Sequence, residues 1–196
     1  HHSATPTDAP LSPSHVIRVL VALKLKKPLT EIKGSATVKA LSAGKSAIQN
    51  EIIGEILTEF GQPPGTNSDA LADLPLSDIA SAYSTSYKDL GKTSVKHITR
   101  MLSNVLPGGY TPAAARTYLG RDRSLGAGLV NSVLVHALTM QPTSRFETAA
   151  QVQAWLDQVL KALGSELGVT LPTAVPVQPQ MVQQASHMMI QHQPAQ

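Results

Sequence analysis

The sequence predicts an all-α protein of about seven or eight short helices in two lobes. Apolar residues recur three and four positions apart in several stretches, which is typical of helices that bury one face. Ser12-Pro13 and Thr111-Pro112 each place a capping residue before a proline, as helix starts do. No stretch shows the alternation of a β-strand, and no repeat with a period of roughly 20 to 50 residues is evident.

The domain boundaries follow from composition. A chain of 196 residues fits one domain, or two small lobes that share a core. We expect the first lobe over residues 12–104 and the second over 105–171. Residues 1–11 resemble a tag remnant or linker, and the Pro/Gln-rich residues 172–196 a flexible linker or tail, because such compositions bury too little surface to fold alone.

Two well-marked helices are predicted in the first lobe. The first follows Ser12-Pro13 and stops before Pro28, with apolar side chains at helical spacing. The second runs from near Ser46 to Phe60 and ends at Gly61. Its apolar residues fall on one arc, and its glutamates form a separate acidic stripe; the arc contains Ile52, Ile53, Ile56, Leu57 and Phe60, and the stripe Glu51, Glu55 and Glu59.

Weaker patterns complete the series of helices. Residues 76–87 and 92–104 are predicted as the remaining helices of the first lobe. In the second lobe we expect a short helix over 112–119, a helix over 125–138 that is apolar almost all round and therefore buried, and a last helix over 147–163. Trp155, on that last helix, is predicted to lie in the core.

Composition excludes several classes of function. The absence of cysteine removes disulfides, thiolate metal sites and cysteine nucleophiles. The net charge of +3 is spread evenly along the chain, so we expect no nucleic-acid binding. No apolar run reaches the roughly 18 residues of a membrane span, and no hydrophobic signal segment is present. These observations favour a soluble cytoplasmic protein.

Common catalytic and metal motifs are not matched. His15, His97 and His136 lack a second histidine three or four positions away, so we expect no metal site. A nucleotide-binding loop before Ser46 would need a glycine where Lys39 stands, and a nucleophile elbow would need one at Ile48. We therefore predict no catalytic residue.

Ser46 has two possible roles at the start of its helix. The simpler one is an N-cap, in which case Ser46→Ala costs about 0.5 to 2 kcal/mol. The alternative is attachment of a phosphodiester, because free amides and the helix dipole at a helix N-terminus stabilise a phosphate, and Lys45 adds a cation.

Residues 19–27 and 43–54 resemble the acyl carrier domain of the fungal type I fatty acid synthase alpha subunit. Residues 90–92, 106–111 and 115–119 resemble that family's own extension, and the similarity covers about residues 12–171. The resemblance implies an acyl-carrier-like four-helix bundle plus an additional helical lobe. In one departure, Ala43 stands where a second glycine is common, so we expect a less free turn before Ser46.

The resemblance also implies a function. Ser46, beside Gly44 and Lys45, would carry 4′-phosphopantetheine taken from coenzyme A, whose thiol holds the growing acyl chain as a thioester. A carrier that encodes no cysteine has to import this thiol. The implied partners are a phosphopantetheinyl transferase and the ketoacyl synthase, ketoreductase, dehydratase, enoyl reductase and acyl/malonyl transferase domains, to which catalysis belongs.

The surface beside Ser46 is a candidate for partner docking. We expect an exposed Ile48, flanked by Glu51 and Glu55, to contact basic partner enzymes. An ordinary solvated helix face explains the same glutamates. Two other functions stay open: the carrier of a specialised synthase that makes a short starter chain, and a helical interaction module in which Ser46 is only a cap.

Overall fold

The regular structure of the described chain is helical. The structure is a computed structural model that describes residues 5–172. Within this range β-pairing is limited to two isolated bridges, Thr7 with Leu125 and Thr37 with Pro75. The predicted all-α class is therefore confirmed. Residues 1–4 and 173–196, which belong to the two predicted linkers, lie outside the described residues.

Eight α-helices follow one another along the described residues: α1 (Pro13–Leu25), α2 (Val38–Leu41), α3 (Ser46–Phe60), α4 (Leu76–Ala82), α5 (Lys92–Val105), α6 (Pro112–Thr117), α7 (Ala127–Ala137) and α8 (Ala149–Leu167). Two 3₁₀ turns, Leu29–Glu31 and Ser68–Asp73, and a π-helical turn, Tyr118–Asp122, connect them. All seven helices predicted from the sequence are present. The unexpected α2 has only four residues, too few for apolar periodicity to show.

Helix α1 lies at the centre of the molecule. The Ser12 hydroxyl caps it by accepting a hydrogen bond from the amide of His15 at 3.2 Å. The helix packs against α3, α4 and α7, and seven of its thirteen residues are buried. Because neighbours surround α1 on several sides, it buries more than the single face that its periodicity predicts.

The two predicted lobes share one hydrophobic core. Buried side chains form a continuous cluster from Leu11 to Leu171. Helix α7 links the lobes because it packs against α1, α5 and α8. As predicted, α7 is buried almost all round and Trp155 lies in the core, 6% exposed, with its indole N–H donating to the carbonyl oxygen of Met140 at 2.8 Å.

The segment before α1 packs against the second lobe. The amide of Thr7 donates to the carbonyl oxygen of Ser124, and the Thr7 carbonyl accepts from the amide of Gly126, both at 2.8 Å. The Asp8 carboxylate accepts from the amide of Leu129 at 3.0 Å and so caps α7. Residues 7–11 therefore differ from the expected linker, because pairing with residues far along the chain holds them in place.

Candidate functional site

Ser46 is the first residue of α3 and is exposed to solvent. The N-cap position belongs to Lys45, whose extended backbone precedes the helix and whose side chain makes no capping hydrogen bond. The Ser46 hydroxyl forms no hydrogen bond within the described chain. The expectation that Ser46 is an N-cap is therefore wrong: the helix begins at Ser46 itself, one residue earlier than that role requires, and the hydroxyl lies at the surface.

The turn before Ser46 has an unusual backbone. Ala43 has a φ of 51° and Gly44 a φ of 75°, both in the left-handed region. Glycine adopts this region at little cost, whereas a residue with a Cβ is strained there. This strain at Ala43 is the physical reason to expect, from the sequence, a less free turn before Ser46. Both residues are exposed, and a Cβ built on Gly44 would meet no atom within 4 Å.

The N-terminus of α3 presents free hydrogen-bond donors beside a cation. Within the described residues, the backbone amides of Ser46, Ala47 and Ile48 have no acceptor. The Lys45 side chain is exposed and takes part in no ion pair among residues 5–172. Three unpaired amides, the positive end of the helix dipole and one ammonium group are the groups that would stabilise a phosphate next to the Ser46 hydroxyl.

The glutamates of α3 do not form one solvent-facing stripe. Lys24 Nζ of α1 lies 3.3 Å from Glu51 Oε1 and 3.0 Å from Glu55 Oε2, and His97 Nε2 of α5 lies 3.8 Å from Glu55 Oε1. Burial would raise the pKa of the Glu55 carboxyl, but the hydrogen bonds from His97 and Lys24 outweigh it and lower that pKa. The Glu51 side chain remains 58% exposed, against 23% for Glu55.

Glu59 is buried and binds the start of α5. Its carboxylate accepts from the amides of Gly91 and Ser94, both at 2.7 Å, and from the hydroxyls of Tyr87 at 2.5 Å and Ser94 at 2.6 Å. This residue is 5% exposed. Glu59 therefore does not belong to an acidic surface, because four donors from the α4–α5 region hold it inside.

Ile48 and the predicted apolar arc face the core to different degrees. Ile52 and Ile56 are almost fully buried, and the other members of the arc are partly buried against the core, as predicted. Ile48 is also half-buried and packs against the core cluster, so it is less exposed than the docking hypothesis assumed.

Comparison with known proteins gives the family. Residues 7–171 match the family described as the fatty acid synthase subunit alpha acyl carrier domain. The chain belongs to this family. The similarity extends over both predicted lobes, and its start at residue 7 agrees with the packing of the segment before α1.

Fungal relatives share this similarity along most of the carrier domain. The fatty acid synthase subunit alpha of Schizosaccharomyces pombe is 41% identical over 170 residues, 85% of this chain. Those of Candida albicans and Saccharomyces cerevisiae are 39% and 38% identical, over 84% and 85% of this chain. In each case the match spans only 8% or 9% of the relative, so the chain corresponds to one small part of those subunits.

The carrier domain contains a buried histidine pair that sequence spacing did not indicate. His15 Nε2 of α1 lies 3.0 Å from His136 Nδ1 of α7, with the rings stacked 5.2 Å apart. Both residues are buried. They are 121 positions apart in sequence, so no local pattern brings them together. Among residues 5–172 no group of three potential ligands is arranged to hold a metal ion.

The charges around α3 were also only partly accessible to sequence reasoning. The sequence predicts Glu51 and Glu55 on one face, but not that Lys24 of α1 pairs with both or that His97 of α5 lies beside Glu55. Within the described range, no helix of the carrier domain has the length and hydropathy needed to cross a bilayer.

Proposed function

We propose that this domain carries acyl intermediates on a 4′-phosphopantetheine arm attached to Ser46. The observation that carries the proposal is the exposed, unbonded hydroxyl of Ser46 at the first residue of α3. In a chain of the acyl carrier family, this is a surface serine that a transferase can reach without unfolding any element.

The residues around Ser46 fit a phosphodiester. The free amides of Ser46, Ala47 and Ile48 and the ammonium group of Lys45 stabilise its negative charge. The space next to Gly44 is open, because a Cβ built there would meet no atom within 4 Å. When bound, the arm supplies a thiol that the chain itself lacks, and that thiol carries the acyl group as a thioester.

The partners follow from membership of a synthase subunit. We infer that a phosphopantetheinyl transferase loads Ser46 and that the catalytic domains of the parent synthase then act in turn on the attached chain. In this scheme the domain is non-catalytic and works in the cytoplasm, within the multienzyme. We also propose that residues 12–104 form the carrier lobe and that residues 105–171 support it structurally.

We further propose that the surface of α3 beside Ser46 meets the partners. Glu51 is the strongest candidate contact because its carboxylate is the more exposed of the two that Lys24 binds. Glu55 contributes once a basic partner residue displaces Lys24, and half-buried Ile48 offers a small apolar contact near the serine.

Intact-mass measurement after incubation with coenzyme A and a phosphopantetheinyl transferase tests the attachment. The wild type is expected to gain the mass of one phosphopantetheinyl group, and Ser46→Ala none. The matched control is Ser35→Ala, an exposed serine outside the turn, which should load like the wild type.

A wild-type domain that gains no mass would refute the carrier function. Loading of Ser46→Ala would move the attachment to another residue. The first result would favour the helical interaction module, in which the start of α3 has only a structural role.

A further inference from the structure

Helix α5 presents a basic face to solvent. Lys92, Lys96 and Arg100 are four residues apart, so they lie on one side of the helix, and all three are exposed. Val95 lies between them and is 46% exposed, one of only two exposed large hydrophobic residues in the described chain. These four residues are called the α5 face below.

The cations of the α5 face are not neutralised within the domain. The ion pairs among residues 5–172 involve none of the three. Helix α5 contains no acidic residue, and Asp89 is the only carboxylate in the ten residues on either side of Lys92 along the chain. The carboxylate of Glu55, which faces α5 from α3, is already bound by Lys24 and His97. The three cations are therefore unpaired within the described residues.

The α5 face is held rigidly next to the helix that bears Ser46. Glu59 of α3 binds the first turn of α5, and the Thr93 hydroxyl donates to the carbonyl oxygen of Glu55 at 3.0 Å. A cleft of about 450 Å³ between the two helices is lined by Lys92 and Lys96, and by Glu51 and Glu55 on the opposite side. A partner bound to the α5 face would therefore have a fixed position relative to Ser46.

We propose that the α5 face is a second docking surface, which binds an acidic protein surface of the parent synthase. The inference rests on the proposed carrier function for the identity of the partner. An exposed apolar residue beside a row of unpaired cations has the composition of a small, charge-selected interface. Nucleic acid fits less well, because its binding depends on neutralising many backbone phosphates and this face offers only three cations. A membrane surface would need more than the single apolar side chain of Val95.

Binding of the phosphopantetheine-loaded domain to the fatty acid synthase of the same organism, prepared without its own carrier domain, tests this proposal. Charge reversal of the face by Lys92→Glu, Lys96→Glu and Arg100→Glu should weaken binding about tenfold and flatten its dependence on salt. The matched control reverses three exposed lysines elsewhere, Lys27, Lys33 and Lys161, and should change the dissociation constant less than about twofold.

Helicity measured by circular dichroism shows whether the triple variant is folded, and the single variant Lys96→Glu replaces it if it is not. Unchanged binding by a folded variant, or an equal loss in the control, would overturn the proposal. Loss of binding to phosphatidylserine vesicles or duplex DNA without loss of synthase binding would overturn it as well. Loading at Ser46, read from intact mass before the binding assay, separates these results from a failure of the carrier function.

Discussion

Ala43 and Gly44 show how one methyl group affects the turn that leads to Ser46. A left-handed conformation costs an L-residue about 1 to 2 kcal/mol, which Ala43 bears and Gly44 avoids. Ala43→Gly should therefore raise the free energy of unfolding by up to about 1 kcal/mol, because part of the relief is offset by the greater freedom of glycine in the unfolded chain.

Urea titration of Ala43→Gly and of Gly44→Ala, as its mirror control, measures this effect. The control should lose about 1 kcal/mol, since it places a Cβ at a φ of 75°. Equal stability of both variants and the wild type would show that the turn stores no strain.

We expect Ser46 to contribute little to the free energy of unfolding. Its side chain is exposed and makes no hydrogen bond in the described chain, so it caps no backbone amide of α3. Ser46→Ala should change the free energy of unfolding by less than about 0.5 kcal/mol while it abolishes loading. Thermal and urea unfolding check the first part. A loss above about 1 kcal/mol would restore the capping role that the position of the helix start contradicts.

Glu51 separates docking from folding better than Glu55 does. Glu55 is bound by both Lys24 and His97, so its reversal disturbs the packing of three helices. Glu51→Lys leaves the contacts of Glu55 with Lys24 and His97 in place. It should slow acyl transfer to a basic partner enzyme several-fold through a lower association rate. Stopped-flow transfer kinetics at two salt concentrations measure it. A transfer rate equal to the wild type would make this side of α3 a solvated face only.

At the scale of elements, two helices are capped by carboxylates from distant parts of the chain. Gly91 and Gly126 occupy the N-cap positions of α5 and α7, where neither has a side chain to offer. Glu59 caps the first helix, and Asp8 the second. A Cβ on Gly91 would lie 2.1 Å from the carbonyl oxygen of Glu59, and one on Gly126 would lie 2.3 Å from the Asp8 carboxylate. A Cβ has no free space at either position, because the backbone of Glu59 fills it at Gly91 and the Asp8 carboxylate fills it at Gly126.

We expect substitution by alanine to have opposite effects at Gly91 and at Gly54, the two glycines at the α3–α5 contact. Gly91→Ala should destabilise by about 1 to 3 kcal/mol, because the atom it meets is backbone and cannot move aside as a side chain does. Gly54→Ala, inside α3 with no atom within 4 Å of the added Cβ, should stabilise by about 1 kcal/mol through helix propensity. Urea unfolding of both variants provides the measurement, and a shift of the same sign in both would contradict the packing at Gly91.

These caps also explain which parts of the structure the sequence predicts. Residues that signal a helix locally, such as Thr111-Pro112 and the apolar arc of α3, give the existence and approximate bounds of seven helices. Glu59 looked like one more glutamate on an acidic stripe because its partners lie 28 to 35 positions away. The sequence correctly predicts a helix start near Ser46, but a shift of one residue in that start decides whether Ser46 or Lys45 is the N-cap.

At the scale of the whole molecule, the His15–His136 pair couples stability to pH. Burial lowers the pKa of His15 to about 3, and the nearby charges of His136 and Arg18 act in the same direction. Burial also lowers the pKa of His136, with Glu166 opposing and Arg18 assisting. Both histidines are therefore neutral in the folded domain at neutral pH, and one ring nitrogen donates to the other.

Acidification should destabilise the domain for this reason. Below about pH 6.5 the unfolded chain binds protons that the folded pair excludes, so stability falls by up to about 1.4 kcal/mol per pH unit for each histidine. Urea unfolding between about pH 7 and pH 4 measures the slope. The double variant His15→Leu with His136→Leu removes both titrations and should show a flatter profile; the same slope in this variant would assign the pH dependence to other groups.

The cap of α7 by Asp8 has a consequence for synthesis on the ribosome. Asp8 and its partner amide, that of Leu129, are 121 residues apart. At about 5 to 20 residues per second, Asp8 is synthesised about 6 to 24 s before Leu129. During this interval the carrier lobe can assemble, but its first residues have no partner. We therefore expect the N-terminal segment to be sensitive to protease in nascent chains that stop before α7 and protected in longer ones.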